Sequence, residues 1–423
     1  MTQMESARAG KITEEMEIAA RKEGVSAEYI RAGVAEGTIV IPKNKNRRRS
    51  NICAIGKGLS VKVNALIGTS NDRAQRDMEA SKLRIAEEAG CDSFMDLSTG
   101  GDIDEMRRQT LRLANVAVGC VPLYQAGVNA IKKDGGVVNM KPDDLFDIIE
   151  QQAADGMDFM AIHSALSMDI IETLRRTGRV TEIVSRGGSF MTAWMLHNQR
   201  ENPLYEQFDR LLDIMRRHDV TLSIGDAVRP GCTADSLDAI QLKGLILAGE
   251  LAKRALDAGV QVMIEGPGHV PLNHIESTLL LQKRLCHDVP YFILGFLSTD
   301  IAPGYDNITA AIGGAWAGLH GADFICYLTP AEHLGLPNEE DVRTGVISAK
   351  IAANAADVSR KRNGAWERAL EMSKARAALD VNRQIELAMY PDRLSAAGHD
   401  GGKCEVCGEK CACQIAAEYF GAA

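Results

Sequence analysis

The residues best placed for chemistry lie near the end of the chain, in Cys404-Glu-Val-Cys407-Gly-Glu-Lys-Cys411-Ala-Cys413. Four of the chain's 10 cysteines fall in this one stretch. Thiolates this close, in a Gly-flanked segment, suit a shared metal or an iron–sulfur cluster. With Cys413 as a fourth ligand the stretch would make a structural zinc knuckle, although a single residue between Cys411 and Cys413 is tight for two arms of a regular one. With Cys404, Cys407 and Cys411 alone it would hold a [4Fe–4S] cluster, leaving one iron open to a substrate or to a cofactor such as S-adenosylmethionine. A disulfide pair is the third reading, and a reducing compartment argues against it. Spacing alone does not separate cluster from zinc.

A second set of candidates sits further upstream. His269 and His333 each follow an apolar run and have Gly or Pro nearby. Two imidazoles on one rim can form an open metal site completed by water or substrate. General acid–base use and plain hydrogen bonding are the competing readings. The Gly-rich turns at Arg186-Gly-Gly188 and Gly266-Pro-Gly268 let backbone amides approach a ligand closely, and Arg186 and Arg229 add positive charge. Together they suggest a small anionic substrate.

These residues need a frame that brings them together. From about residue 59, short apolar runs alternate with amphipathic helical stretches. The runs are Val61–Gly68, Ser93–Thr99, Val116–Leu123, Asp158–His163, Thr181–Ser185, Thr221–Asp226, Val260–Glu265, Tyr291–Phe296 and Phe324–Thr329. Helical patterns include Ala74–Ala89, Pro142–Ala154, Leu237–Ala258 and His274–Cys286. Such alternation predicts a parallel sheet. Nine runs are one more than a closed (β/α)8 TIM barrel needs, so one lies outside it. A doubly wound open sheet is the alternative, weakened because no Gly-x-Gly-x-x-Gly follows the first strand. Polar residues gather where the runs end: Asp96 and Ser98, Tyr124 and Gln125, His163, Ser185 and Arg186, Asp226 to Arg229, and Glu265 to His269. In a barrel that end is the active-site face.

The expected organisation is a helical N-terminal segment (1–58), a catalytic barrel (59–335), a C-terminal helical region (336–394), and a Gly-rich hinge with the cysteine tail (395–423). Ser26 is a candidate cap for an early helix. Asn338 is another, ahead of acidic residues in the first turn of a long one. The polar stretch from Lys43 to Ser50 reads as exposed. With 423 residues, 45% hydrophobic and 25% charged, the composition is that of a globular protein with a large core. A net charge of -9 and only one short basic run, Lys43 to Arg49, argue against nucleic acid. No window suits a membrane span, and the N-terminus lacks the apolar core of a secretory signal, so a cytoplasmic location is expected.

The chain resembles the phosphomethylpyrimidine synthase family of radical S-adenosylmethionine enzymes, over about residues 1 to 413. The motifs that carry the likeness are MDLSTGGDI at 95–103, PLYQ at 122–125, VSRGGS at 184–189, RPG at 229–231, VMIEGPGHVP at 262–271, STDIAPGYD at 298–306 and EHLGLPNEEDV at 332–342. The resemblance implies a TIM barrel, a homodimer, a C-terminal cluster arm, an external one-electron reductant, and 5-aminoimidazole ribotide as substrate. Carried over by motif, the substrate contacts are Met95, Tyr124, His163, Ser185, Arg186, Gly187, Asp226, Ala227, Val228, Arg229 and Glu265. Cys326, Glu265 and His163 are the implied catalytic residues. His269 and His333 would hold a divalent metal, usually zinc. Cys404, Cys407 and Cys411 would hold the [4Fe–4S] cluster, with Cys413 a bystander.

Departures from the thiamin-forming pattern are informative. Leu66 stands where that pattern has Asn, Phe292 where it has Tyr, and Phe296 where it has Pro. Leu66 and Phe292 fall at implied substrate contacts, and each removes a hydrogen-bonding group. A ligand atom left unpaired in a dry pocket costs on the order of 1–3 kcal/mol. These changes favour the paralogous branch that makes 5-hydroxybenzimidazole from the same ribotide. Synthesis of hydroxymethylpyrimidine phosphate for thiamin is the alternative, and a non-radical barrel metallohydrolase with a zinc-stabilised tail is the more distant one.

Overall fold

The computed structural model describes residues 1–47, 51–70, 76–396 and 411–420. Two compact units divide between Ala356 and Asp357.

The larger unit opens with three short helices, Gln3–Arg8, Glu14–Glu23 and Ala27–Glu36, capped by the Thr2, Thr13 and Ser26 side chains. Ser26 thus does what its position ahead of an amphipathic stretch predicts. β1 (Ile39–Val40) and β2 (Ile55–Gly56) form a small antiparallel pair. Between them the chain is not the exposed loop its polarity suggests. Asn44 and Arg47 are buried, Asn44 bonding the carbonyls of Ala153 and Met157 and Arg47 pairing with the buried Asp158. Barrel backbone and a partner charge, rather than water, take the Asn44 amide and both Arg47 Nη groups. Arg48, Arg49 and Ser50 lie outside the described residues.

Eight strands then close the barrel: β3 (Lys62–Ile67), β4 (Ser93–Asp96), β5 (Ala117–Cys120), β6 (Phe159–Ile162), β7 (Thr221–Ile224), β8 (Val262–Glu265), β9 (Tyr291–Ile293) and β10 (Phe324–Cys326). Each pairs in parallel with its neighbour, and β10 returns to β3 through Phe324 opposite Lys62, Ile325 opposite Val63 and Cys326 opposite Asn64. Strands walled by neighbours inside and helices outside must be apolar on both faces. The short continuous runs supply this, and almost every strand residue is buried.

The ninth apolar run, Thr181–Ser185, is the one outside the barrel. It is a loop between the helices Met168–Thr177 and Arg186–Asn198. Val180 is exposed, Glu182 has a φ of 50°, and the N–H groups of Val180 and Thr181 go to the Asp235 carboxylate instead of a ladder. A segment carrying Glu182 cannot bury both faces, so its apolar content alone misleads.

The helix Glu339–Arg360 runs across the division, with the Asn338 side chain accepting the Asp341 N–H at its start. The smaller unit contains the helices Ala365–Ala377, Val381–Leu387, Asp392–Ala396 and Ala412–Phe420. Arg368 donates to the carbonyls of Leu387 and Ala388, which closes the first pair. Among the described residues, no helix is long and apolar enough to cross a membrane.

Candidate active site

A cavity of about 280 Å³ opens at the carboxyl ends of the barrel strands. The residues that line it come from strand ends, from the loops after them and from the first turns of helices. β3 supplies Leu66, β4 Met95, β8 Glu265, β9 Phe292 and β10 Cys326. Tyr124 comes from the first turn of the helix Pro122–Asp134, His163 from just past β6, Arg186 from the start of its helix, and Arg229 from the loop after β7. Nine residues expected from the sequence therefore share one pocket.

Ser185, Gly187, Asp226, Ala227 and Val228 do not line the cavity; they build its walls. Ser185 caps the helix that carries Arg186, its Oγ accepting the Gly188 N–H at 3.2 Å. Gly187 is glycine because a Cβ there would lie 2.3 Å from the His163 ring. Gly188 lies against the backbone of Ala227, with its absent Cβ 2.0 Å from the Ala227 carbonyl oxygen. The N–H of Asp226 donates to Glu265.

Gly266, from the Gly-rich turn, lines the cavity as well, whereas the sequence reading missed Leu97, Val121, Ala161, Val184, Ile293, Leu294 and Glu332, all of which face it. The apolar ones carry no signal that separates pocket wall from core. Glu332 did carry one, a carboxylate beside His333 just past the last strand.

Burial sets the ionisation of the pocket. His163 is pushed down to about 3 by desolvation, aided by the nearby Arg229 charge, so it is a neutral imidazole. Its Nδ1 is buried and has no hydrogen-bond partner among the described residues. The ring packs against Gly187 and Gly225 and also lines the cavity. Glu265 is pushed up to about 7 by burial; Arg229 opposes this and Asp226 reinforces it. Burial also raises Asp226 to about 6. Cys326 is raised by burial and stays a thiol, 3.8 Å from the Asn64 Nδ2, which is itself fixed by Ser93. The Arg186 guanidinium lies 5.0 Å from the Tyr124 ring centroid, a cation–π contact that aims it.

His269 and His333 are brought together, with ring centroids 5.6 Å apart. His269 Nδ1 meets Asp300 Oδ1 at 2.7 Å, and His333 Nδ1 meets Asp306 Oδ1 at 2.8 Å. Each carboxylate takes one ring nitrogen and leaves Nε2 free, the arrangement that orients metal-binding histidines. Asp300 and Asp306 were not singled out in the sequence, though both lie in STDIAPGYD. Among the described residues no cluster of three or more His, Cys, Asp or Glu side chains stands ready for a metal. The pair alone offers two imidazole nitrogens, and a metal held there would need water or substrate at its other positions.

Of the cysteine tail, Cys404 and Cys407 lie outside the described residues. Cys411 immediately precedes the helix Ala412–Phe420. The N–H groups of Gln414 and Cys413 hold its thiol below the ordinary range. A thiol biased toward thiolate is what a cluster or metal ligand needs.

The barrel thus gathers two arginines, a shifted glutamate and a neutral histidine around one cavity at its catalytic face. The chain belongs to the Radical SAM ThiC family, whose sequence model matches residues 2–418. It is a radical S-adenosylmethionine synthase of the lyase type. It is 65% identical over 425 residues to 5-hydroxybenzimidazole synthase BzaB of Moorella thermoacetica, covering 100% of both chains. It is 63% identical to the protein of the same name from Eubacterium limosum, again over 100% of both. Identity to phosphomethylpyrimidine synthase of Moorella thermoacetica is 55%, over 100% of this chain and 99% of that one.

Proposed function

We propose that the protein rearranges 5-aminoimidazole ribotide into 5-hydroxybenzimidazole, the lower-ligand precursor of anaerobic cobamides. The observation that carries this reading is the higher identity, over full length, to the two 5-hydroxybenzimidazole synthases. The pocket agrees with it: Leu66 and Phe292 present apolar surface in the cavity that Arg186 and Arg229 share. Those two arginines also suit a product that keeps its phosphate, so hydroxymethylpyrimidine phosphate is the second reading. Family membership removes the metallohydrolase alternative.

Arg186 and Arg229 would bind the ribotide phosphate, as paired guanidinium groups do. His163, a neutral imidazole that lines the cavity, would orient the aminoimidazole. Glu265, shifted to about 7, would hold or release a proton at its carboxyl near neutral pH. Cys326 keeps its S–H inside the pocket, at the position where the family has a cysteine near the reaction centre.

Cys404, Cys407 and Cys411 would hold a [4Fe–4S] cluster, with Cys413 outside the ligand set. With S-adenosylmethionine bound, that cluster supplies the 5′-deoxyadenosyl radical, given an external one-electron reductant. His269 and His333 would hold zinc or another divalent metal, which would act as a Lewis acid. A homodimer is part of the reading. Its support is an exposed apolar stripe of Ile308, Ile312, Trp316 and Leu319 along one face of the helix Asp306–His320. The cytoplasm is the compartment that would keep these thiols reduced.

Anaerobic reconstitution with iron and sulfide tests the class of chemistry. About four irons per chain, a broad visible absorbance and ribotide-dependent release of 5′-deoxyadenosine are expected. Zinc alone at the tail, with no iron taken up, would sink the proposal.

A further inference from the structure

The two arginines of the pocket come from different parts of the chain, Arg186 after the loop at 178–185 and Arg229 in the loop after β7. Something must hold these loops in register, and the structure shows what does. Arg179 has a wholly buried side chain. Its Nε and Nη2 grip the Asp238 carboxylate at 2.8 Å each. Asp238 is itself anchored as the cap of the helix Ala239–Asp257. The remaining nitrogen, Nη1, donates to Val228 O at 2.8 Å, to Arg229 O at 3.3 Å and to Glu182 O at 3.3 Å. One guanidinium therefore touches the backbone of both loops, including that of Arg229 itself.

A second bridge lies beside it. Asp235, also buried, accepts the Val180 N–H at 2.9 Å and the Thr181 N–H at 3.0 Å. The Thr181 hydroxyl donates to Asp235 at 2.8 Å and accepts the Gly231 N–H at 3.2 Å. A Cβ on Gly231 would sit 2.2 Å from Val184, so no side chain can separate the loops there. Neither Arg179 nor Asp235 lines the cavity.

We infer that Arg179 and Asp235 are positioning residues that lock the Arg186 loop to the Arg229 turn, so that the two arginines face the pocket as one anion site. The inference rests on the reading that these arginines bind the ribotide phosphate. Buried hydrogen bonds of this kind fix the backbone from which each arginine side chain leaves, because breaking one leaves a buried polar group unpaired. Without the seam, each arginine keeps its charge and loses its shared aim.

The test uses the anaerobically reconstituted protein, titrated calorimetrically with ribose 5-phosphate and with inorganic phosphate, and assayed with the ribotide. Arg179→Met is expected to weaken ribose 5-phosphate binding and raise KM by about ten-fold or more, with kcat at saturation within about threefold. Thr181→Val, nearly isosteric, should act in the same direction and less strongly, and it decides the question if Arg179→Met does not fold. A fall in Tm with unchanged ribose 5-phosphate affinity in both variants would overturn the positioning role. Wild-type protein that binds neither probe would instead overturn the phosphate reading beneath it.

Discussion

The pocket has two unlike sides, and the barrel order separates them. The neighbouring strands β9, β10, β3 and β4 bring Phe292, Cys326, Leu66 and Met95. The arc from β5 to β8 and its loops brings Tyr124, His163, Arg229 and Glu265, with Arg186 beside them. Glu332, past β10, is the polar exception on the first side. One arc is thus suited to a ring and the other to charge and proton transfer. Burial acts differently on the two. On the apolar arc it fixes shape, as in the stacking of Phe292 on Phe324 with centroids 4.1 Å apart. On the polar arc it moves His163 and Glu265 away from their ordinary ionisation.

Breaking the polar arc should cost most. Glu265→Gln removes the pocket carboxyl that burial shifts to about 7, and kcat is expected to fall roughly 100-fold or more with a smaller change in KM. Next comes the histidine pair on the rim. Asp306→Asn should weaken metal binding at His333 about 10- to 100-fold, read by metal content after graded chelation. An unchanged affinity would mean that Asp306 does not orient the ligand.

Glu265 also makes a stability prediction. Its folded value lies above the ordinary 4.5, so its contribution to stability is present below that pH and is lost as pH rises toward about 7. Urea titrations across that window should show a falling slope that Glu265→Gln flattens. Identical slopes in both proteins would contradict the shift.

The apolar arc should respond more mildly. Leu66→Asn with Phe292→Tyr is expected to change turnover or product ratio by a few-fold, on the order of one hydrogen bond each. If neither turnover nor product moves, these positions do not discriminate. The smallest effect is expected at the tail, where Cys413→Ser should leave iron content unchanged.

Much of this contrast was legible in the sequence, for a physical reason. Parallel strands buried on both faces appear as short apolar runs, and the polar residue that ends each run marks the catalytic rim. His163, Glu265 and Arg229 were found that way. Thr181–Ser185 was misread because a short apolar run in a loop looks like a buried strand until its partners are seen. Arg179, Asp235 and Asp300 escaped notice because polar contacts between segments far apart in the chain leave no periodicity. Leu97 and Val184 escaped because an apolar residue facing a cavity resembles one facing the core.

The most direct measurement is the mass of the product formed anaerobically from 5-aminoimidazole ribotide, S-adenosylmethionine and a reductant. The account predicts phosphate-free 5-hydroxybenzimidazole. Hydroxymethylpyrimidine phosphate as the sole product would contradict it.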